Sequence, residues 1–167
     1  ASVRQPSCKK QLKGGVCADR RCLSPSPCPN LEVSHSDYVA LLKELRGIEG
    51  VKKVFVRSGI RYDYVMYDKS DAFMRELIAH HISGQLKVAP EHIDDRTLDL
   101  MGKPHAELFN AFCEKYKRMN AQMNKEQYIV PYFMSSHPGP DLNSAIAPAQ
   151  PPTKPALRPQ PAQALHP

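Results

Sequence analysis

Between residues 36 and 136, apolar residues recur alternately with helical and with strand-like spacing. Helical spacing predicts a helix from Ser36 to Gly47, a second from Ser70 to near Gly84 and a long one beginning at Pro104. A short helix is predicted from about Asp95 to Met101, ending at Gly102. The first, second and long helices each have a predicted apolar face. In the first helix it consists of Tyr38, Leu41, Leu42 and Leu45, and in the second of Phe73, Met74, Leu77 and Ile78. In the long helix it consists of Leu108, Phe109, Phe112, Tyr116 and Met119.

Three short apolar segments, at residues 51–57, 85–89 and 127–134, predict β-strands. Each is separated from the next by a helical segment, and connections of that length join parallel strands. Pro131 implies a bulge or an unpaired position in the last strand. The predicted class is α/β: a fragment of a partial (β/α) barrel with about three parallel strands and flanking helices.

Composition divides the chain into three regions. Residues 1–35 are rich in Cys, Pro and basic residues without a clear period, and they predict an irregular arm. Residues 36–139 carry the barrel-like pattern. Residues 140–167 are predicted to form a disordered tail, because nine prolines between 138 and 167 remove backbone donors and leave little apolar surface to bury.

The net charge of +6 belongs mostly to the arm, where residues 1–21 hold six Lys or Arg and one acidic residue. Such an arm could bind nucleic acid. We favour a solvated leader, because no aromatic residues interleave with these charges. The chain shows no apolar run for a membrane span and no signal-peptide pattern, which favours a cytoplasmic protein without a membrane partner.

Four of the five cysteines, Cys8, Cys17, Cys22 and Cys28, lie in the arm within a window of 21 residues. Without an export signal, cysteines more often bind metal or stay free than form disulfides. Four thiols suffice for a Zn²⁺ or Fe–S site, although this spacing fits no standard zinc knuckle. The alternative is four reduced loop cysteines. Cys113 falls on the apolar face of the long helix and is expected in the core.

Polar or turn-forming residues follow each predicted strand, at 57–61, 89–92 and 135–139. Ligands of parallel α/β folds bind at the carboxyl ends of strands, so we expect these ends to open on one side beside a shared cavity. Glu91 and His92 could form an acid–base pair, or Glu91 could simply precede a helix start. Arg57 and Arg61 could bind a carboxylate, or they could be solvated loop residues.

Four segments resemble the C-terminal part of the radical S-adenosylmethionine domain of YgiQ-type proteins: VKKVFVRSGIRYDYVM, HHISGQLKVAPEH, LDLMGKP and YIVPYFMSSHPG. The resemblance covers roughly residues 8–139 and implies part of a (β/α)6 barrel. By this resemblance Arg61 and Asp63 follow the third barrel strand and Glu91 follows the fourth. Ser135 and Ser136 would lie where the fifth strand meets the adenine. These positions imply that Arg61, Glu91, Ser135 and Ser136 contact S-adenosylmethionine.

The Cys-x3-Cys-x2-Cys motif that binds the family's [4Fe–4S] cluster is absent from this sequence. The family's sixth strand is replaced by the Pro-rich tail. The resemblance therefore implies a fragment that supplies part of the cofactor wall, is inactive alone, and needs the N-terminal half of the barrel as its partner. The cofactors of the full-length parent would be S-adenosylmethionine and the cluster. The alternative is a metal- or nucleic-acid-binding module built on the basic Cys-rich arm.

Overall fold

The computed structural model describes residues 8–135 except 16, 19 and 25, together with the backbone of residues 163–164. The described helices are α1 (Lys9–Gly14), α2 (Ser36–Gly47), α3 (Tyr62–Tyr67), α4 (Ala72–Glu76), α5 (Asp95–Met101) and α6 (Ala106–Gln122). A π-helical turn, Leu77–His81, continues α4. The described strands are β1 (Gln85–Glu91), β2 (Tyr128–Ser135) and the two-residue β3 (Gln163–Ala164).

Strands β1 and β2 pair in parallel, with Gln85 opposite Tyr128 at the start of the register. On the other side of β1, Ile60 makes a single parallel bridge to Val88. The predicted parallel pairing of the second and third strands is therefore confirmed, and β1 lies between two neighbours. Strand β3 pairs in parallel with the last two residues of β2.

The prediction of a strand at residues 51–57 is wrong, because this segment has no strand pairing in the structure. Its backbone instead bonds to the end of the π-helical turn. Val56 N donates to His81 O at 2.9 Å, and His81 Nδ1 donates to Val54 O at 2.7 Å. The chain reaches β1 after this segment, where Ile60 N donates to Lys87 O at 3.1 Å. The structure thus does not show a three-strand barrel fragment.

The helices agree with the predicted order but differ in detail. Helix α2 has the predicted bounds, yet Leu41 is 48% exposed and Leu45 36%, whereas Val39 and Leu42 are buried. The sequence did not predict α3 or the π-helical turn, and α1 adds a short helix to the arm that was expected to be irregular.

The hydrophobic core lies between the β1–β2 pair and helices α2, α3, α4 and α6. Phe112 of α6 is fully buried and packs against Tyr62 at the start of α3, with ring centroids 5.6 Å apart. Cys113 is half-buried and packs against this core, as expected. The core fixes α3 beside β1 and so positions the residues that follow Ile60.

Helix α5 ends at Gly102, whose φ of +63° is a left-handed conformation that glycine adopts at little cost. Arg21 of the arm lies against this glycine, and its Nη1 donates to Met101 O at 2.7 Å. A Cβ at position 102 would lie 1.9 Å from that Nη1. The glycine therefore allows both the helix end and the contact with the arm.

Gly102→Ala is expected to lower the free energy of unfolding by about 1–2 kcal/mol, from the left-handed backbone and the displaced arginine. The measurement is urea unfolding of the 167-residue chain. Gly47→Ala is the control, because a Cβ there meets nothing within 4 Å. Equal stability of the Gly102→Ala chain and the unsubstituted chain would contradict the role assigned to Gly102.

Most of the predicted tail, residues 140–167, lies outside the described residues, as does the proposed domain boundary at 139. Where the tail is described, residues 163–164 form β3. Within the described part of the chain, no helix has both the length and the apolar character needed to cross a membrane.

Candidate site at the carboxyl ends of the strands

Glu91 is the last residue of β1 and has a φ of +70°, a left-handed conformation that is uncommon for a non-glycine residue. It follows a bulge: Val88 pairs with Pro131, whereas Glu91 pairs with Phe133, so β1 carries one extra residue. The sequence predicted a bulge or an unpaired position at Pro131, but Pro131 is paired and the extra residue lies in β1. Bulges of this kind redirect side chains and are common beside functional sites.

Lys103 is the partner of Glu91, with its Nζ donating to Glu91 Oε1 at 3.2 Å. Both side chains are partly exposed, so the pair stays accessible to a ligand. The neighbouring His92 is buried, and its Nδ1 accepts a bond from Asp94 N at 3.0 Å. That bond turns the imidazole toward the start of α5, where Asp94 caps the helix by accepting from Thr97 N. His92 therefore has a local structural role.

Arg61 precedes α3 and binds the buried carboxylate of Asp63, with an Nε–Oδ1 distance of 2.9 Å. Its guanidinium also lies over the ring of Tyr64, 4.8 Å from the centroid. The hydrogen bond to Asp63 raises the pKa of Arg61 further above its ordinary value, against the opposing effect of burial. The side chain is 54% exposed, so one face remains open to a ligand. Arg57 is exposed on the preceding loop.

Arg61 and Glu91 lie at the same edge of the sheet, because the Ile60–Val88 bridge is parallel and both residues follow it. Tyr62 follows Arg61 in the chain. Burial raises the pKa of the Tyr62 hydroxyl, and the charges of Asp63 and Glu91 contribute to the rise. Ser135 ends β2 at this edge, although only its backbone is described. Ser136 lies outside the described residues. The cofactor contacts of these four residues stay predictions.

Sequence reasoning did not identify Lys103 or Tyr62 as part of this edge. The sequence did carry a signal for Lys103. The seven-residue helix α5 ends before Gly102 and leads the chain back toward the end of β1, where Glu91 lies. Tyr62 could not be assigned, since α3 itself was not predicted. Both residues lie in segments that carry the family resemblance, but the resemblance assigned neither of them a role.

A cavity of about 350 Å³ lies elsewhere, between the starts of α2 and α4. His35 and Phe73 stack at its wall with centroids 4.6 Å apart, and His35 Nδ1 lies 2.6 Å from Asp68 Oδ2. Burial raises the pKa of Asp68, but hydrogen bonds from Ser70 and His35 outweigh it and leave the pKa below its ordinary value. Glu91 lines neither of these two cavities of the described residues, and the expected shared cavity beside it stays a prediction.

The four arm cysteines line a second, small cavity of about 10 Å³, together with Arg20, Arg21 and Leu31. All four are half-buried free thiols. No three His, Cys, Asp or Glu side chains of the described residues are spaced to hold a metal ion. The structure thus brings the predicted ligands to one place without forming a coordination geometry. Nothing in the described arm adds support for binding nucleic acid.

Comparison with known proteins gives relatives but no family model and no solved structure. No family model matches the chain. No solved structure matches it either.

A UPF0313 protein of Clostridium botulinum (strain Okra / Type B1) is 52% identical to this chain over 167 residues. The match covers the whole chain, including the Pro-rich tail, and 26% of that protein. A UPF0313 protein of Clostridium perfringens (strain ATCC 13124) is 52% identical over 146 residues, 87% of this chain and 22% of that protein. The chain is therefore similar over its whole length to UPF0313 proteins and spans about a quarter of the length of these curated relatives.

Proposed function

We propose that residues 36–135 form part of a radical S-adenosylmethionine barrel and that Glu91 binds the cofactor at the carboxyl ends of the strands. The observation that carries the proposal is the conformation of Glu91, a left-handed non-glycine residue after a bulge in a strand with parallel neighbours. Holding a glutamate in this conformation costs about 1 kcal/mol or more. A role in ligand binding accounts for keeping a carboxylate there.

The charged side chains at this edge suit a ligand that carries an ammonium group, a carboxylate and ribose hydroxyls. Glu91 can accept bonds from an ammonium or hydroxyl group, and the exposed face of Arg61 can bind a carboxylate. Lys103 holds the Glu91 carboxylate in place before a ligand arrives, as Asp63 holds the Arg61 guanidinium. Each pair limits the reorganisation that binding would require.

S-adenosylmethionine with a reduced [4Fe–4S] cluster would supply a radical that removes a hydrogen atom from substrate. The cluster ligands do not fit this chain, because the four arm cysteines are separated by nine, five and six positions. A four-cysteine site would also leave no iron open to the cofactor. This chain's part is therefore limited to binding and orienting the cofactor.

The rest of the barrel is proposed as the partner of this chain. Five large apolar side chains between residues 41 and 55 are exposed, and they provide a surface for such a partner: Leu41, Leu45, Ile48, Val51 and Phe55. The relatives, about four times as long as the matched segment, have the length to supply it.

The cofactor contact is tested by Glu91→Gln in a full-length protein that carries this segment. Loss of one charged hydrogen-bond acceptor is expected to weaken S-adenosylmethionine binding by about 1–3 kcal/mol, or about 5- to 150-fold. Isothermal titration calorimetry measures the change in Kd. The free energy of unfolding should stay nearly the same.

Glu44→Gln, on the exposed surface of α2, is the matched control and should leave the Kd unchanged. An unchanged Kd in Glu91→Gln, with the fold intact, would remove the proposed contact.

The 167-residue chain is expected to release no 5′-deoxyadenosine from S-adenosylmethionine after anaerobic reconstitution with iron, sulfide and dithionite. The reason is the missing cluster motif rather than instability of the fold. Chromatographic analysis of the reaction is the measurement, with a full-length relative as the positive control. Catalytic yields of 5′-deoxyadenosine from the chain alone would show that its own cysteines hold a competent cluster.

A further inference from the structure

The cavity lined by Cys8, Cys17, Cys22 and Cys28, here called the cysteine cavity, has no part in the proposed cofactor site. Its four thiols come from positions spread over 21 residues, yet they line one small, partly open space. None forms a disulfide. Convergence of all four thiols is unexpected for unrelated loop cysteines.

The arm that carries these cysteines has little else to stabilise it. Its described residues 8–35 contain one six-residue helix and only two buried side chains, Leu23 and His35. Backbone bonds turn the chain around the cavity: Cys28 N donates to Cys22 O at 2.8 Å, and Leu31 N donates to Cys28 O at 2.9 Å. Segments with so small a core commonly depend on disulfides or a structural metal.

An unpartnered donor at the cysteine cavity is the second observation. Arg20 lines the cavity, and its Nη2 donates to Ser26 O at 2.8 Å. Its Nε is buried and has no hydrogen-bond partner among the described residues, which is costly for a charged group. A thiolate or sulfide in the cavity would accept this bond. Arg20 and Arg21 together would also offset the charge of about −2 on a Zn²⁺ ion bound by four thiolates.

We propose that Cys8, Cys17, Cys22 and Cys28 bind one structural metal centre through four thiolates, either a Zn²⁺ ion or an Fe–S cluster. On binding, each S–H bond is replaced by a sulfur–metal bond and its proton passes to solvent, without oxidation of the thiols; for a cluster, iron ions and inorganic sulfide are taken up from solution. The thiols must move inward, since no three of them are now spaced for a single ion. Four protein ligands leave no position open, so the centre is structural. This proposal does not depend on the cofactor role of Glu91.

The test begins with the reduced 167-residue chain, freed of metal by a chelator and titrated with Co²⁺ and then Zn²⁺ under anaerobic conditions. We expect about one equivalent of Co²⁺ with thiolate-to-metal absorption, proton release on binding, and displacement by Zn²⁺. Iron and acid-labile sulfide analysis of chain purified anaerobically from iron-supplied cells distinguishes the cluster. Failure of the reduced chain to bind Co²⁺, Zn²⁺ or iron would overturn the proposal.

Single variants identify the ligands. Cys17→Ser and Cys28→Ser should each weaken metal binding about tenfold or more. Cys113→Ser, a half-buried cysteine on α6, is the matched control and should bind as the unsubstituted chain does. If an arm variant does not fold, a thiol-modifying reagent applied to the metal-loaded unsubstituted chain should release the metal as four thiols react. Unchanged metal affinity of the Cys28→Ser chain would overturn the four-ligand site. Complete release of the metal after modification of a single thiol would overturn it as well.

Discussion

His81→Ala is expected to destabilise the 167-residue chain by about 3–5 kcal/mol, from the loss of a buried imidazole bonded at both nitrogens. His81 is fully buried, and Nδ1 and Nε2 face Val54 O at 2.7 Å and Glu76 Oε1 at 3.2 Å. Removing the ring leaves one carbonyl without its donor and opens a cavity. Urea unfolding at neutral pH measures the loss.

His80→Ala is the control, because His80 lies one position away and is exposed; its effect should stay within about 1 kcal/mol. Similar losses in the two variants would show that His81 has no special role in holding residues 51–57.

The pH dependence gives a separate readout of the His81–Glu76 contact. Burial raises the pKa of Glu76, but the bond from His81 and the charge of Arg46 outweigh it, so the folded pKa lies below the ordinary 4.5. The stabilisation is therefore complete above pH 4.5 and is lost as the pH falls through the folded pKa. The acid-dependent loss of stability below pH 4.5 should be shallower in His81→Ala.

Phe112→Ala is expected to cost about 3–5 kcal/mol, because a fully buried aromatic ring is replaced by a cavity. Phe112 joins Tyr62 of α3 and Tyr116 of α6, with centroids 5.6 and 6.1 Å away. The measurement is the midpoint of urea unfolding, with an unchanged slope as evidence of a two-state loss of stability.

Leu100→Ala provides the comparison, since Leu100 is 63% exposed and should change stability by no more than about 0.5 kcal/mol. A loss below about 1 kcal/mol in Phe112→Ala would contradict the assignment of this ring to the core.

The order of helices and strands after residue 84 could be predicted because each segment has one clear apolar period and a clear stop. The end of helix Asp95–Met101 was indicated by Gly102. In the helical segment before residue 84, the burial of Leu77 and Ile78 followed from helical spacing. The segment at 51–57 shows the limit. Its β-branched residues favour a strand, but strand pairing also needs a neighbouring strand in register. Here the backbone of Val54 and Val56 forms hydrogen bonds with His81 instead.

The edge near Glu91 was only partly predictable for a similar reason. Strand ends and turn residues indicated where polar groups would gather, so Arg61 and Glu91 could be named from the sequence. Their partners depend on tertiary folding. The pairing of Lys103 with Glu91 requires the path of α5, and the convergence of four cysteines requires the turns at Cys22 and Cys28.

The π-helical turn at Leu77–His81 makes the length of this segment as important as its composition. A π-turn accommodates an extra residue compared with an α-helix, and each α-helical residue rotates the chain by about 100°. Deleting one residue here would carry His81 away from both Val54 and Glu76, whatever residue types remained. Substitution of an exposed residue such as His80 is a local change, whereas a one-residue deletion shifts the position of every residue between the deletion and β1.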